Sequence, residues 1–123
     1  MKNAKVLIVG IGGLGSPISI YLTAAGVGQI GLIDDDIVSK SNLQRQILYT
    51  ETEIGQSKVE CACRRLSALN SSTRFETYPN RFTSDNADRL VSAYDIIIDG
   101  CDNAATRYLI DDVCSRFKKP YVY

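Results

Sequence analysis

The glycine cluster Gly10-Ile11-Gly12-Gly13-Leu14-Gly15 follows an apolar stretch within Ala4 to Val9 and opens a segment of helical period. No other feature restricts the fold of this chain as strongly. The apolar stretch reads as a strand buried on both faces. Beyond the cluster, Leu14, Ile18, Leu22 and Ala25 recur at helical spacing, and Gly26 with Gly28 breaks the pattern before a second apolar run, Ile30-Gly31-Leu32-Ile33. Strand, glycine turn, helix and strand make one parallel βαβ unit. Within it Gly10, Gly12 and Gly15 fit G-x-G-x-x-G in the position that gives the pattern meaning. The first glycine permits a tight turn, the second lets a phosphate approach the backbone, and the third packs helix against strand. The free N–H groups and the helix dipole then face an anion. The plain alternative is a glycine-rich turn with no ligand.

The rest of the chain repeats the alternation. Asp34, Asp35 and Asp36 end the second strand, a polar stretch without sustained period runs from Ser39 to Thr52, and Glu53 to Leu69 places Val59, Ala62, Leu66 and Leu69 on one stripe. That helix should open near Gly55 or Ser57. Phe75 to Tyr78 alternates as a short strand, Ser84 to Ser92 is expected to be a helix capped by Ser84, and Ile96 to Ile98 is a further apolar strand. Asp99 to Asn103 forms its exit loop, Ala104 to Phe117 has helical period, and Pro120 to Tyr123 begins a last strand. The expected fold is α/β: a doubly wound, mostly parallel, Rossmann-like sheet with helices on both faces and strand order 3-2-1-4-5. A chain of 123 residues has room for one such domain. Ligands bind such sheets beyond the carboxyl ends of the strands, where Gly10 to Gly15, Asp34 to Arg45 and Asp99 to Asn103 converge.

Composition narrows the partners. Fourteen Lys and Arg balance fourteen Asp and Glu, so no general field draws the chain to nucleic acid or to an anionic membrane. The N-terminal apolar stretch is too short for a signal core or a membrane span, which leads us to expect a soluble, cytoplasmic protein. Cys61, Cys63, Cys101 and Cys114 lack the paired spacing of a zinc knuckle and are expected to be reduced thiols.

Asp34 closes the second strand 24 residues after Gly10, the separation at which a carboxylate usually accepts from both ribose hydroxyls of a nucleotide of NAD or ATP type. Asp35 fits a solvated turn, and Asp36 fits either role. A hydride-transfer enzyme needs no cations after this strand, whereas a triphosphate does. Arg45 can fork onto phosphate oxygens, and Lys58, at the start of the second helix, can bring an ammonium to the phosphate that develops charge. Taken singly, an Arg in a polar loop and a Lys on a helix are more often solvated. Asp102 and Asn103 together read first as a helix cap, for which Asn103 is well suited. The functional alternative gives the Asp102 carboxylate to magnesium, which completes its shell with phosphate and water.

Five motifs in order, Gly10 to Gly15, Asp34 with Asp36, Ser41-Asn42-Leu43-Gln44-Arg45-Gln46, Gly55-x-x-Lys58 and Cys101-Asp102-Asn103, resemble the adenylation domain of the ubiquitin-activating superfamily. The similarity is to its bacterial branch of ThiF, MoeB and HesA type, which serves thiamine and molybdopterin synthesis, and it covers nearly all of the chain. The resemblance implies ATP and Mg2+, and attack on the α-phosphate by the C-terminal carboxylate of a ubiquitin-like sulfur-carrier protein ending in Gly-Gly. It further implies that Gly12 and its neighbours Gly10, Gly13 and Gly15 cradle phosphates. Asp34, with Asp36 beside it, holds the ribose end; Asn42, Arg45 and Lys58 contact the triphosphate; Asp102 serves the metal. Arg45, Lys58 and Asp102 are the expected catalytic set, acting by position and charge with no protein nucleophile. Members of the family usually carry an N-terminal helix and further C-terminal strands, and a homodimer is expected. Against that pattern the sequence is expected to be the nucleotide-binding half, incomplete for turnover. The competing expectations are the dinucleotide-binding module of an NAD(P)-dependent oxidoreductase, which leaves Arg45, Lys58 and Asp102 without work, and a non-catalytic nucleotide-binding module.

Overall fold

The computed structural model describes residues 3–12, 15–38, 51–101 and 103–122. Five parallel strands, β1 (Lys5–Val9), β2 (Gln29–Ile33), β3 (Arg74–Tyr78), β4 (Ile96–Asp99) and β5 (Tyr121–Val122), form one sheet in the order β3-β2-β1-β4-β5. This is the order expected from the alternation of elements. Among the described residues four helices make the crossovers: α1 (Gly15–Ala24), α2 (Lys58–Leu69), α3 (Ser84–Ala93) and α4 (Ala104–Phe117). A 3-10 turn at Glu51–Glu53, which the sequence did not signal, precedes α2.

The apolar strands are apolar because both their faces are covered. Val6 and Ile8 of β1 with Ile30 and Leu32 of β2 pack against Val59, Ala62 and Leu66 of α2, and Ile18 and Leu22 of α1 close that layer. Leu7 and Val9, one residue out of phase, face Leu90 and Val91 of α3 and Ile110 and Val113 of α4 on the other side. Each fully buried aliphatic side chain of this kind contributes about 1.5–3 kcal/mol of transfer free energy. The sheet also has one specific fit. Gly31, in the middle of β2, leaves space for the buried phenol of Tyr94, whose hydroxyl lies 2.9 Å from that of Tyr78; a Cβ at Gly31 would overlap the ring.

One boundary differs from expectation. Ser84 is the first residue of α3, and Thr83 occupies the cap position: its amide donates to Asn86 Oδ1 at 3.0 Å. Asn86, three residues on from Thr83, thus satisfies the cap amide, whereas Ala87, three residues on from Ser84, has no side chain that could do so. The second helix begins at Lys58 with Ser57 as its N-cap, the later of the two expected starts. The final helix spans Ala104–Phe117 as expected and is capped by Asn103, whose Oδ1 accepts from Ala105 N at 2.8 Å and Thr106 N at 3.2 Å.

Candidate functional site

Three strand ends are knitted together at the carboxyl edge of the sheet. Gly10 N donates to Ile33 O at 2.9 Å and Gly100 N to Val9 O at 2.8 Å, which ties β1 to both neighbours just where the chain leaves the sheet. Gly10 has φ +93°, and a Cβ there would lie 2.9–3.0 Å from the backbone of Gly100 and Cys101. Glycine is required here twice over: for the dihedral angle and for the close approach of the β4 exit. Gly12 is half-buried beside it, and the backbone of Gly15 opens α1. Gly13 lies outside the described residues.

Asp34 fastens the glycine turn from the other side. Its Oδ2 accepts from Ile11 N at 2.8 Å and its Oδ1 from Asp36 N at 2.9 Å. Each carboxylate oxygen retains acceptor capacity for a further donor. The expected ribose ligand is therefore also the brace that holds the turn to the end of β2, a role the sequence spacing did not disclose. Asp35 is exposed and pairs with Arg81 at 3.3 Å. The carboxylate oxygens of Asp34, Asp35 and Asp36 approach within 4.8 Å of one another.

Lys58 is where the bland expectation fails. It is only 4% exposed, and its ammonium lies 3.6 Å from Asp36 Oδ2, while its backbone N donates to Asp36 O at 3.1 Å. A short antiparallel bridge explains the placement: Ile37 pairs with Ser57, Val38 N donates to Gln56 O, and Gly55 N donates to Val38 O, both at 2.8 Å. The chain leaving β2 is thus laid against the approach to α2, and Lys58 emerges beside Asp36. A cation at a helix N-terminus meets the positive end of the dipole, so its siting there is not explained by the helix. The neighbouring Ser57 Oγ is buried and has no hydrogen-bond partner.

The sequence did not single out Asp99 and Arg107. Asp99, the last residue of β4, is 1% exposed; its Oδ2 accepts from Arg107 Nε at 2.9 Å, and its Oδ1 accepts from Cys101 N at 3.1 Å and Cys101 Sγ at 2.7 Å. An Asp directly after an apolar triplet looks like any strand exit, and only the Arg in the first turn of the next helix hints at its partner. Burial and the Asp99 carboxylate push the Cys101 thiol up to about 11, and burial pushes Cys114 up to about 11 as well. Protonated thiols are poor nucleophiles. All four cysteines are free.

The structure therefore brings Gly10, Gly12, Asp34, Asp36 and Lys58 to one edge. Asn42, Arg45 and Asp102 lie outside the described residues. No helix among the described residues is long and apolar enough to cross a membrane.

The arrangement has relatives. The ThiF family model matches residues 1–123. An adenylyltransferase and sulfurtransferase of Culex quinquefasciatus is 50% identical over 99% of the chain, which covers 28% of that protein. A sulfur carrier protein adenylyltransferase of Thermus thermophilus is 47% identical over 100% of the chain, which covers 45% of it. The chain thus spans less than half the length of either relative. Among solved structures, the E. coli tRNA threonylcarbamoyladenosine dehydratase TcdA in complex with AMP superposes with a TM-score of 0.94 at 33% identity, over 98% of this chain and 50% of its own. The same enzyme in complex with ATP gives 0.93 at 32% identity, again over 98% of this chain and 50% of its own.

Proposed function

The chain belongs to the ThiF family, and from that premise we propose that it is the nucleotide-binding part of an enzyme that uses ATP and magnesium to adenylate the C-terminal carboxylate of a small ubiquitin-like sulfur-carrier protein. The observation that carries this reading is the buried Lys58 ammonium, held by Asp36 at the edge where the glycine turn and Asp34 meet. A dinucleotide-binding oxidoreductase satisfies its pyrophosphate with the backbone of the glycine loop and has no use for a desolvated cation there. A triphosphate does, because charge develops on the departing pyrophosphate.

In this mechanism the turn receives phosphate on backbone N–H groups from Gly12 onward, the amides of Gly10 and Ile11 being taken by Ile33 O and Asp34 Oδ2, and Asp34 accepts from the ribose hydroxyls while bracing the turn. A carboxylate oxygen of the carrier attacks the α-phosphorus, the bond to the bridging oxygen of the β-phosphate breaks, and pyrophosphate leaves with the electron pair. The carrier carboxylate is ionised at neutral pH, so no general base is needed. Lys58 shifts its ammonium from Asp36 to the polyphosphate, with Arg45 and Asn42 completing the contacts. The carboxylates at this edge form a hard-oxygen donor set of the kind magnesium takes, whereas Asp99 is saturated by Arg107 and Cys101. Asp102 is the residue assigned to the metal, which when bound neutralises phosphate charge. A second copy of the chain is the expected partner in assembly.

Calorimetry with ATP and NAD in parallel tests the reading: ATP with magnesium binds and NAD does not. Asp34→Ala weakens AMP and ATP alike, by the roughly 1.5–3 kcal/mol of a charged hydrogen bond. Lys58→Ala weakens ATP more than AMP, and in an enzyme extended to the length of its relatives it lowers pyrophosphate exchange further than it lowers ATP affinity. Equal binding of NAD and ATP would return the site to the oxidoreductase class.

A further inference from the structure

We propose that Asp99 and Arg107 are positioning residues for the phosphate-binding turn, holding the exit of β4 as a backstop against Gly10 so that the Gly12 amide stays in place for the nucleotide's phosphate; this rests on the adenylation reading above. The turn is held from both sides. Toward β2, Gly10 N donates to Ile33 O at 2.9 Å and Ile11 N to Asp34 Oδ2 at 2.8 Å. Toward β4 the hold on Gly10 is contact: a Cβ there would lie 2.9–3.0 Å from Gly100 C and from Cys101 N and Cα. Such a contact fixes the turn if its other side cannot retreat. Cys101 is that other side, and its amide, thiol and carbonyl are all engaged by the pair. The amide and the thiol donate to Asp99 Oδ1 at 3.1 and 2.7 Å, and the carbonyl accepts from Arg107 Nη2 at 3.4 Å. Arg107 Nε closes the ring by donating to Asp99 Oδ2 at 2.9 Å.

Stiffness is what this corner otherwise lacks. The two backbones that meet are glycines, Gly10 and Gly100, and glycine is the most permissive residue in its dihedral angles. The clamp supplies the missing restraint, and it does so in an unfavourable way for stability alone. Asp99 is 1% exposed, and an apolar pair of similar volume often serves a fold as well as a buried ion pair or better. What an apolar pair cannot do is accept two donors from Cys101 on one oxygen while an Arg fork spans from the carboxylate to the Cys101 carbonyl. Lysine keeps the charge but not the fork.

The test titrates the chain with adenosine, AMP and ATP for wild type, Arg107→Lys and the apolar double variant Asp99→Leu with Arg107→Met. Adenosine engages Asp34 without a phosphate, so the ratio of AMP to adenosine affinity reads the phosphate seat by itself, and a mere loss of stability does not move it. Thermal melting identifies the folded variants, and either one carries the test if the other does not fold. The expected result is unchanged adenosine affinity with the ratio reduced about tenfold, the lower end of what one hydrogen bond to a charged group is worth. A ratio left intact in every variant that folds overturns the inference and leaves the adenylation reading standing. A parallel loss of adenosine and AMP affinity overturns it in the same way, because that is a general defect of the site. Failure of both variants to fold also overturns it, since the pair then serves the fold as a whole. Wild type that binds AMP no more tightly than adenosine overturns it as well. Failure of the wild type to bind ATP at all refutes the adenylation reading instead.

Discussion

Gly10 and Gly26 share a left-handed dihedral angle, φ +93° and +84°, yet a Cβ at Gly10 would meet the backbone of Gly100 and Cys101 at 2.9–3.0 Å whereas at Gly26 it would meet nothing within 4 Å. The two substitutions by alanine separate conformational from steric cost. Gly26→Ala should lose only the roughly 1–2 kcal/mol of a left-handed L-residue. Gly10→Ala should lose distinctly more, because the atoms in its way are main chain tied into the sheet by Gly100 N and Cys101 N. Urea midpoints of the two variants check this; equal losses would mean that the β4 exit yields freely. At the same scale, Lys58 shows why one residue type in one local pattern has no fixed meaning. Helical period places it at a helix start, where solvation is the common outcome, and only the bridge between Ile37 and Ser57 brings it against Asp36 and out of water.

Among the elements, α4 carries the clearest local signals and one local fault. Its cap, Asn103, accepts two backbone amides, so Asn103→Ala should cost about 1 kcal/mol in equilibrium unfolding. Its end is less well made. Lys118 sits in the left-handed region at φ 55° beyond the last turn, a position that glycine fills without strain. Lys118→Gly should therefore raise the unfolding free energy by about 1 kcal/mol, the cost of holding an L-residue there, and a loss of stability would show that the lysine makes an interaction outweighing its strain. Together the two variants bracket the helix that carries Arg107. If its N-terminus frays in Asn103→Ala, the hold of Arg107 on the strand end should loosen with it, and nucleotide titration of that variant would register the loss.

For the molecule as a whole, the buried and half-buried thiols set an alkaline limit to stability. Cys101 and Cys114 are pushed up from 9.0 to about 11 in the folded chain, and burial raises Cys61 as well. Above pH 9 the unfolded chain releases these protons while the folded chain retains them, so the unfolded state binds fewer protons and stability falls with rising pH. The decline should run from pH 9 to about 11, and the contribution is complete below that window. Thermal unfolding followed across this range should show it, with a shallower slope in Cys114→Ala even though that variant starts from a lower midpoint. A slope unchanged by the substitution would assign the decline to other groups. Tyr94, pushed up by burial and by Tyr78, acts in the same direction at still higher pH.

What the amino-acid order settled by itself is whatever depends on neighbours along the chain. Apolar runs of strand length alternating with helical periods specify parallel strands and crossovers, and handedness then leaves the order β3-β2-β1-β4-β5. The glycine turn was legible because its three glycines stand between a strand and a helix, and Asn103 because a cap is a local hydrogen bond. The tertiary structure alone decided the burial of Lys58, the bracing of the glycine turn by Asp34 and the clamp of Asp99 and Arg107 on Cys101. Each of these joins residues from different elements, and a charged side chain bears no local mark of whether water will surround it. Its partner is chosen by which strand ends the sheet sets side by side, and the cost of its burial is incurred only once the sheet has closed around it.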